Sequence, residues 1–404
     1  MQTSIANRFR STPEGQEADS ILRTCVHCGF CTATCPTYRL LGDELDGPRG
    51  RIYLVKQLLE GHPVSRRSQV HLDRCLTCRA CETTCPSGVR YARLADIGRD
   101  ILEREVGRRP WERLVRRALR AVIPYPARFT PLLRAGQWLR PLLPRRLRVQ
   151  VPAPRVAGVW PEPRHARRML VLEGCVQRSA TPDTNAGAAR LLDALGVSLV
   201  RAPQAGCCGA MSHHLSATAE AHRFMRGNID AWWPYLEAGT EAIVITASGC
   251  GAVVKDYGHI LRGDPTYAAK AERVSALARD LSEVVAQEPL GPIEGVGRGR
   301  RVAFHCPCSL QHAQRLAGAV EGILSRVGYQ LTSVPDAHLC CGSAGTYSIL
   351  QPLLSGRLLA EKVSALESGE PELIATANVG CQLHLETRAR VPVRHWVELL
   401  DPGR

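Results

Sequence analysis

The sequence predicts an α+β chain: a helical, cysteine-bearing N-terminal domain followed by two duplicated modules of alternating strand and helix. Three observations carry this reading. Two runs of the form C-x-x-C-x-x-C-x-x-x-C-P occupy residues 25–36 and 75–86. The stretch between them is patterned as helix rather than strand. From Arg168 onward, a set of short apolar runs and cysteines occurs twice at nearly the same spacing.

In the first run Cys25, Cys28, Cys31 and Cys35 precede Pro36, and in the second Cys75, Cys78, Cys81 and Cys85 precede Pro86. Three thiolates at i, i+3 and i+6 wrap one face of a cubane, while the fourth, turned away before the proline, reaches the other cluster. The spacing therefore predicts two [4Fe–4S] clusters. Cys25, Cys28, Cys31 and Cys85 would hold the first, and Cys75, Cys78, Cys81 and Cys35 the second. Zinc ribbons, the alternative, use two separated C-x-x-C pairs rather than four consecutive cysteines ending in proline. Thirty-nine positions separate Pro36 from Cys75, far more than a small bacterial ferredoxin has. Apolar residues at 52, 54, 55, 58 and 59 share one helical face, and Gly61 can end the helix. Residues 1–106 are thus expected to form a helical, ferredoxin-like two-cluster domain.

The chain has 404 residues and seventeen cysteines, most of them in metal-ligand spacing, which points to a reducing compartment rather than a disulfide framework. The N-terminus lacks the apolar core of a signal peptide, and no stretch approaches the roughly 20 apolar residues needed to span a bilayer. The expectation is a cytoplasmic protein peripherally associated with the cytoplasmic face of the inner membrane. Residues 107–168 hold sixteen arginines, no lysine and only Glu112 and Glu162 as acids, which accounts for the whole net charge of +14. The excess thus lies in one basic, Arg/Pro-rich connector, not in a general nucleic-acid-binding surface. Trp111, Leu114, Leu132, Trp138 and Leu142 are interleaved with these arginines. Such a segment can lie in a membrane interface. The reading preferred from sequence is that prolines 124, 126, 131, 141 and 144 break it into short helices packed on protein.

The repeated half divides into modules at 169–295 and 296–404. Residues 168–175 read as a short buried strand leading to Cys175, and residues 301–308 as another leading to Cys308. Thirty-two residues on, in each copy, come Cys207-Cys208-Gly209 and Cys340-Cys341-Gly342. A helical stretch and a strand-like run then lead to Cys250 and Cys381. Each module therefore offers four thiols from three loops at strand ends, where open α/β sheets build their sites. A further iron–sulfur cluster is the first reading of these thiols and zinc the second. His213, His214 and His305 are left unassigned. The glycine-rich residues 295–299 precede their strand instead of following it, so they are not a dinucleotide loop. No flavin, nicotinamide or catalytic constellation is evident, which implies that another subunit supplies the substrate chemistry.

The motifs CVHCGFCTATCPTY, CLTCRACETTCPSGVRY, LGDELDGPRGRIYL, EGC, GCCGA, ASGCGA, HCPC, HLCCGSAGTY and TANVGCQ resemble the family of glycolate oxidase iron–sulfur subunits. The architecture is also similar to the iron–sulfur subunit of anaerobic glycerol-3-phosphate dehydrogenase, and its second half to the CCG domains of heterodisulfide reductase. The resemblance implies an electron-transfer role in a glycolate dehydrogenase complex. It also implies an FAD-binding partner that oxidises glycolate to glyoxylate, a second flavoprotein-like subunit, and a membrane quinone as acceptor. Equivalent subunits serving glycerol 3-phosphate or lactate are the alternative, and a zinc-dependent nucleic-acid-binding protein the rival from another class. In the heterodisulfide reductase pattern each module ends in C-x-x-C, whereas Val253 and His384 stand at those positions here. A five-thiolate cluster is therefore not expected in its usual form, unless Cys306 compensates in the second module.

Overall fold

The computed structural model describes residues 1–403. Its packing divides the chain into two compact units. One comprises Met1–Arg116 and His338–Lys362, the other Arg117–Ala337 and the chain from Val363 onward.

Residues 1–116 of the first unit are helical, with no strand among them. Helix Pro13–Thr24 starts with proline at its first position, and the Thr12 side chain caps it by accepting the Gly15 amide (3.1 Å). Helix Pro48–Leu59 buries Ile52, Val55, Leu58 and Leu59, the face marked by its apolar spacing. It stops before Gly61, which takes a left-handed φ of +86°. Helix Tyr91–Glu105 buries Tyr91, Leu94, Ala95, Ile97, Ile101 and Leu102. These faces meet in one core that also contains Leu72, Cys25, Cys75 and Cys81. The thiol loops are thus anchored by ordinary apolar packing, where truncating Leu58 or Leu59 to alanine would cost about 2–5 kcal/mol.

The prolines of the connector break it less than expected. Helix Pro110–Val122 begins with one proline, and helix Pro126–Leu139 begins with another and carries Pro131 inside it. At a first helical position proline forfeits no hydrogen bond, so Pro126, one of the five expected breaks, starts a helix instead of stopping one.

The second unit holds two parallel sheets of four strands. The first contains β1 (Arg168–Leu172), β2 (Ser198–Arg201), β3 (Ile243–Ile245) and β4 (Ala278–Asp280), in the order β2-β1-β3-β4. The second contains β5 (Arg301–His305), β6 (Gln330–Leu331), β7 (Leu373–Thr376) and β8 (Val393–His395), in the equivalent order β6-β5-β7-β8. The sequence repeat is therefore a repeat of topology. Met169–Leu172 and Val302–His305 are buried continuously, as strands covered on both faces require. Val171, Val244, Phe304, Ala375 and Trp396 belong to one core shared by both sheets, while Leu170, Ile243, Trp232 and Tyr257 form a second core with the first sheet. At the joint, the Ser248 amide donates to the Ala377 carbonyl (3.1 Å) and His395 Nε2 donates to that of Thr246 (2.9 Å).

Candidate functional site

Two hollows open among the N-terminal thiols, and their linings cross between the two motifs. The first, about 430 Å³ and partly open to solvent, is lined by Cys25, Cys28, Cys31 and Cys85, with Cys81, Ile52, Val89 and Tyr91 behind them. The second, about 300 Å³, is lined by Cys35, Cys75, Cys78 and Cys81, with Arg51, Leu76 and Tyr91. The proline after each fourth cysteine opens a helix in the first motif, Pro36–Leu41, with Cys35 at its N-cap in extended conformation. That break turns Cys35 out of its own run. Within the runs, His27 and Gly29 in one and Thr77 and Arg79 in the other take positive φ at matching positions. Left-handed backbone at three non-glycine residues is costly and is sustained where a site over-determines it. Soft sulfur donors in apolar hollows fit iron–sulfur cubanes, which such cysteines ligate as thiolates.

The two hollows differ electrostatically. Burial, with Cys25 and Cys28 nearby, pushes the Cys31 thiol up to about 11. Burial also pushes Cys75 upward, yet Arg51, Arg99, the Thr77 amide and the Tyr91 hydroxyl outweigh it and hold this thiol below its ordinary value. The Tyr91 hydroxyl donates to Cys75 Sγ (3.6 Å) and the Thr77 amide does likewise (3.4 Å). Cys28 is exposed, whereas Cys35, Cys75 and Cys81 are buried.

In the first cysteine-rich module the loops after β1 and β2 bring Cys175, Cys207 and Cys208 together with Cys250. Cys250 lies in the first turn of helix Ser248–Lys255 rather than at the strand end itself. Cys207 neighbours Cys175 and Cys208, and Cys208 neighbours Cys250. The neighbouring Cys207 and Cys250 thiols favour the Cys208 thiolate, while Cys207 and Cys250 are themselves pushed up. Buried Asn228 fixes this loop by accepting the Gly206 amide (2.7 Å) and donating to the Cys207 carbonyl (2.8 Å). Tyr257 donates to the Cys208 carbonyl (2.8 Å). Gly209 and Gly342 have φ of +84° and +88°, and a Cβ there would come 3.0 Å from the Ala221 carbonyl and 2.7 Å from that of Ser355. Both features require the glycine that follows each cysteine pair.

In the second module, Cys308 precedes the π-helical turn Ser309–Ala313, and Cys381 lies in helix Val379–Glu386, where Asn378 Nδ2 donates to its Sγ (3.4 Å). Buried His305, left unassigned from sequence, has a ring nitrogen within 4.8 Å of Cys381 Sγ. Cys306 is buried beside it in sequence. Cys340 and Cys341, both buried, fall in the segment that packs with residues 1–116. There the Tyr347 hydroxyl donates to the Arg74 carbonyl (3.0 Å) and Arg357 to that of Leu40 (3.1 Å). Sequence reasoning missed Arg51, Arg99, Asn228 and Tyr257. For Arg51 a signal existed, because it lies on the same helical face as Ile52, Val55 and Leu58.

Crossed thiol-lined hollows on a helical domain, followed by duplicated parallel-sheet modules with clustered cysteines, define an iron–sulfur electron-transfer protein. Residues 21–89 match the 4Fe-4S dicluster domain family, and residues 169–255 and 302–386 each match the cysteine-rich CCG domain family. The chain accordingly carries two [4Fe–4S] clusters. It is 58% identical, over 99% of its length and 98% of the relative's, to the glycolate oxidase iron-sulfur subunit of Escherichia coli K12. A probable glycolate oxidase iron-sulfur subunit of Bacillus subtilis 168 is 29% identical over 95% of this chain and 91% of its own. Lactate utilization protein A of Geobacillus kaustophilus is 30% identical over only 52% of this chain, though 89% of its own. The chain belongs to the family of glycolate oxidase iron–sulfur subunits.

Proposed function

We propose that this chain is the electron-transfer subunit of a glycolate oxidase (glycolate dehydrogenase) complex. In this reading it relays electrons from an FAD-bearing subunit, which oxidises glycolate to glyoxylate, toward a membrane quinone, with a second flavoprotein-like subunit as a further partner. The observation that carries the relay is the pair of hollows, each lined by three thiols of one motif and the fourth of the other, with Cys81 bordering both. When bound, the clusters accept and release single electrons; the chain's own residues position the ligands, exclude water and shape the local charge. Cys25, Cys28, Cys31 and Cys85 hold the first cluster, and Cys35, Cys75, Cys78 and Cys81 the second. The near full-length match to a glycolate subunit favours glycolate over lactate, whose relative matches about half of the chain.

Functionally the chain is read as a cluster domain at 1–106, a connector at 107–168 and cysteine-rich modules at 169–295 and 296–404. The thiols Cys175, Cys207, Cys208 and Cys250 would hold a further cluster or, lacking a fifth thiolate, zinc. Cys308, Cys340, Cys341 and Cys381 are their counterparts by sequence. The connector gives peripheral contact with the cytoplasmic face of the membrane. Exposed Trp111, Trp138 and Leu142 beside exposed arginines support this, and no described helix is long and apolar enough to cross a bilayer.

The test is anaerobic copurification with partners, with flavin, iron and acid-labile sulfide measured. Cys28→Ser and Cys78→Ser should each remove about one cluster's worth of iron, roughly four atoms, and stop electron delivery to quinone. Full iron content and full activity in both variants would overturn the ligand assignment.

A further inference from the structure

Two buried guanidinium groups stand beside the second hollow. Arg51, 1% exposed, lines it with Cys35, Cys75, Cys78 and Cys81. Its Nε donates to the His71 carbonyl (2.7 Å) and its Nη1 to Thr37 Oγ1 (3.1 Å), which lies 3.3 Å from Cys35 Sγ. Arg99, also buried, reaches the same loop from helix Tyr91–Glu105. It donates through Nη2 to the Cys75 carbonyl (2.6 Å) and through Nη1 to Thr77 Oγ1 (2.8 Å). Neutral carbonyls and hydroxyls thus hold both side chains in place, and their charge is only partly offset. Asp46, 3.4 Å from Arg51, is shared with Arg74 at 2.8 Å, and Asp96 lies 4.0 Å from Arg99. At the first hollow the arginine is Arg49, whose side chain is 38% exposed and held by both oxygens of Glu44. The Met1 ammonium donates to the Cys25 carbonyl at that hollow, in a partly exposed position.

We propose that Arg51 and Arg99 raise the reduction potential of the cluster held by Cys35, Cys75, Cys78 and Cys81 above that of its neighbour. An electron entering this domain then comes to rest on the second cluster. The proposal rests on the ligand assignment made above. Reduction adds one electron, supplied by the flavin-bearing partner or by a chemical reductant, and the added negative charge stays in the hollow. A fixed cation in a water-poor surround favours that charge far more than the same cation in water, and hydrogen bonds to the sulfurs act in the same direction. Water at exposed Cys28 also favours reduction of the first cluster, but only from one edge, since its other three thiols are buried or half-buried.

The test is a potentiometric titration of the full-length chain, followed by electron paramagnetic resonance, with iron counted in parallel. A Cys28→Ser background identifies the signal of the second cluster. In wild type that cluster should reduce first. Arg51→Gln or Arg99→Gln should disfavour its reduction about tenfold, about 59 mV for one electron, without moving the first cluster. Arg51→Lys should restore most of the shift, which a merely structural role would not predict. If Arg51→Gln loses iron because Asp46 is left short of partners, Arg99→Gln and the wild-type order still decide the matter. Unshifted potentials in both neutral variants, equal shifts of both clusters, or a wild-type second cluster that reduces last would each overturn the proposal. Iron counts in the cysteine variants test the ligand assignment separately.

Discussion

His395 sits where the two sheets meet, with Nε2 donating to the Thr246 carbonyl (2.9 Å) and Nδ1 accepting the Val397 amide (3.3 Å). Nδ1 must therefore carry no proton, so the ring is neutral in the folded protein. Burial holds its pKa at about 4, well below the ordinary 6.5, despite the opposing pull of the Thr246 carbonyl. As pH falls below 6.5 the unfolded chain takes up a proton that the native ring refuses, so stability declines until about pH 4. At 1.36 kcal/mol per pKa unit the loss amounts to roughly 3 kcal/mol. Hydrogen-exchange protection of amides 393–397, corrected for intrinsic rate, should fall across this window in wild type and stay nearly level in His395→Gln. An identical pH slope in the variant would remove His395 from the account. Arg51 shows the same rule in a charged group: a buried ionisable side chain is kept only where hydrogen bonds hold it, here the carbonyl of His71 and the hydroxyl of Thr37.

Among the elements, helix Pro48–Leu59 was legible from sequence because its apolar residues recur with helical period and a glycine follows. What Arg51 does there was not legible, since its purpose depends on thiols on either side of it in the chain, Cys35 before and Cys75 after, that only the fold brings to it. The connector shows the converse. Its composition marked it as basic, but composition does not say which arginines protein partners already hold. Arg108 and Arg116 pair with Asp73, Arg120 with Glu220 and Arg155 with Glu386, whereas Arg113 and Arg117 are exposed on helix Pro110–Val122, as are Trp111 and Leu114. Binding to anionic vesicles should therefore depend on the exposed set. Each arginine near such a surface contributes about 1 kcal/mol, so Arg113→Gln with Arg117→Gln should weaken sedimentation with vesicles at low salt by roughly tenfold or more. Arg116→Gln should leave vesicle binding near wild type. Equal weakening by Arg116→Gln, or none by the exposed pair, would mean that the helix serves packing alone.

At the scale of the whole molecule, matched cysteine offsets revealed the duplication, and the equal strand orders of the two sheets bear it out. The repeat could not show that its two copies are divided differently between the compact units, because spacing records only local order. Cys175, Cys207, Cys208 and Cys250 all lie in the second compact unit, while residues 338–362, with Cys340 and Cys341, pack with the cluster domain. Tyr347 and Arg357 tie that segment to the carbonyls of Arg74 and Leu40, each next to or near a cysteine run. Arg74 immediately precedes Cys75, so loss of the second cluster should loosen the loop that accepts the Tyr347 hydroxyl. In Cys78→Ser, amide exchange across residues 341–350 should quicken about tenfold, equivalent to about 1.4 kcal/mol of lost protection. Exchange across residues 207–214, which pack in the other unit, should be unchanged. In Cys28→Ser, where only the first cluster's ligands are disturbed, both segments should keep wild-type protection. If Cys78→Ser leaves 341–350 as protected as before, or loosens the two cysteine-pair segments alike, the second module is not specifically coupled to the second cluster.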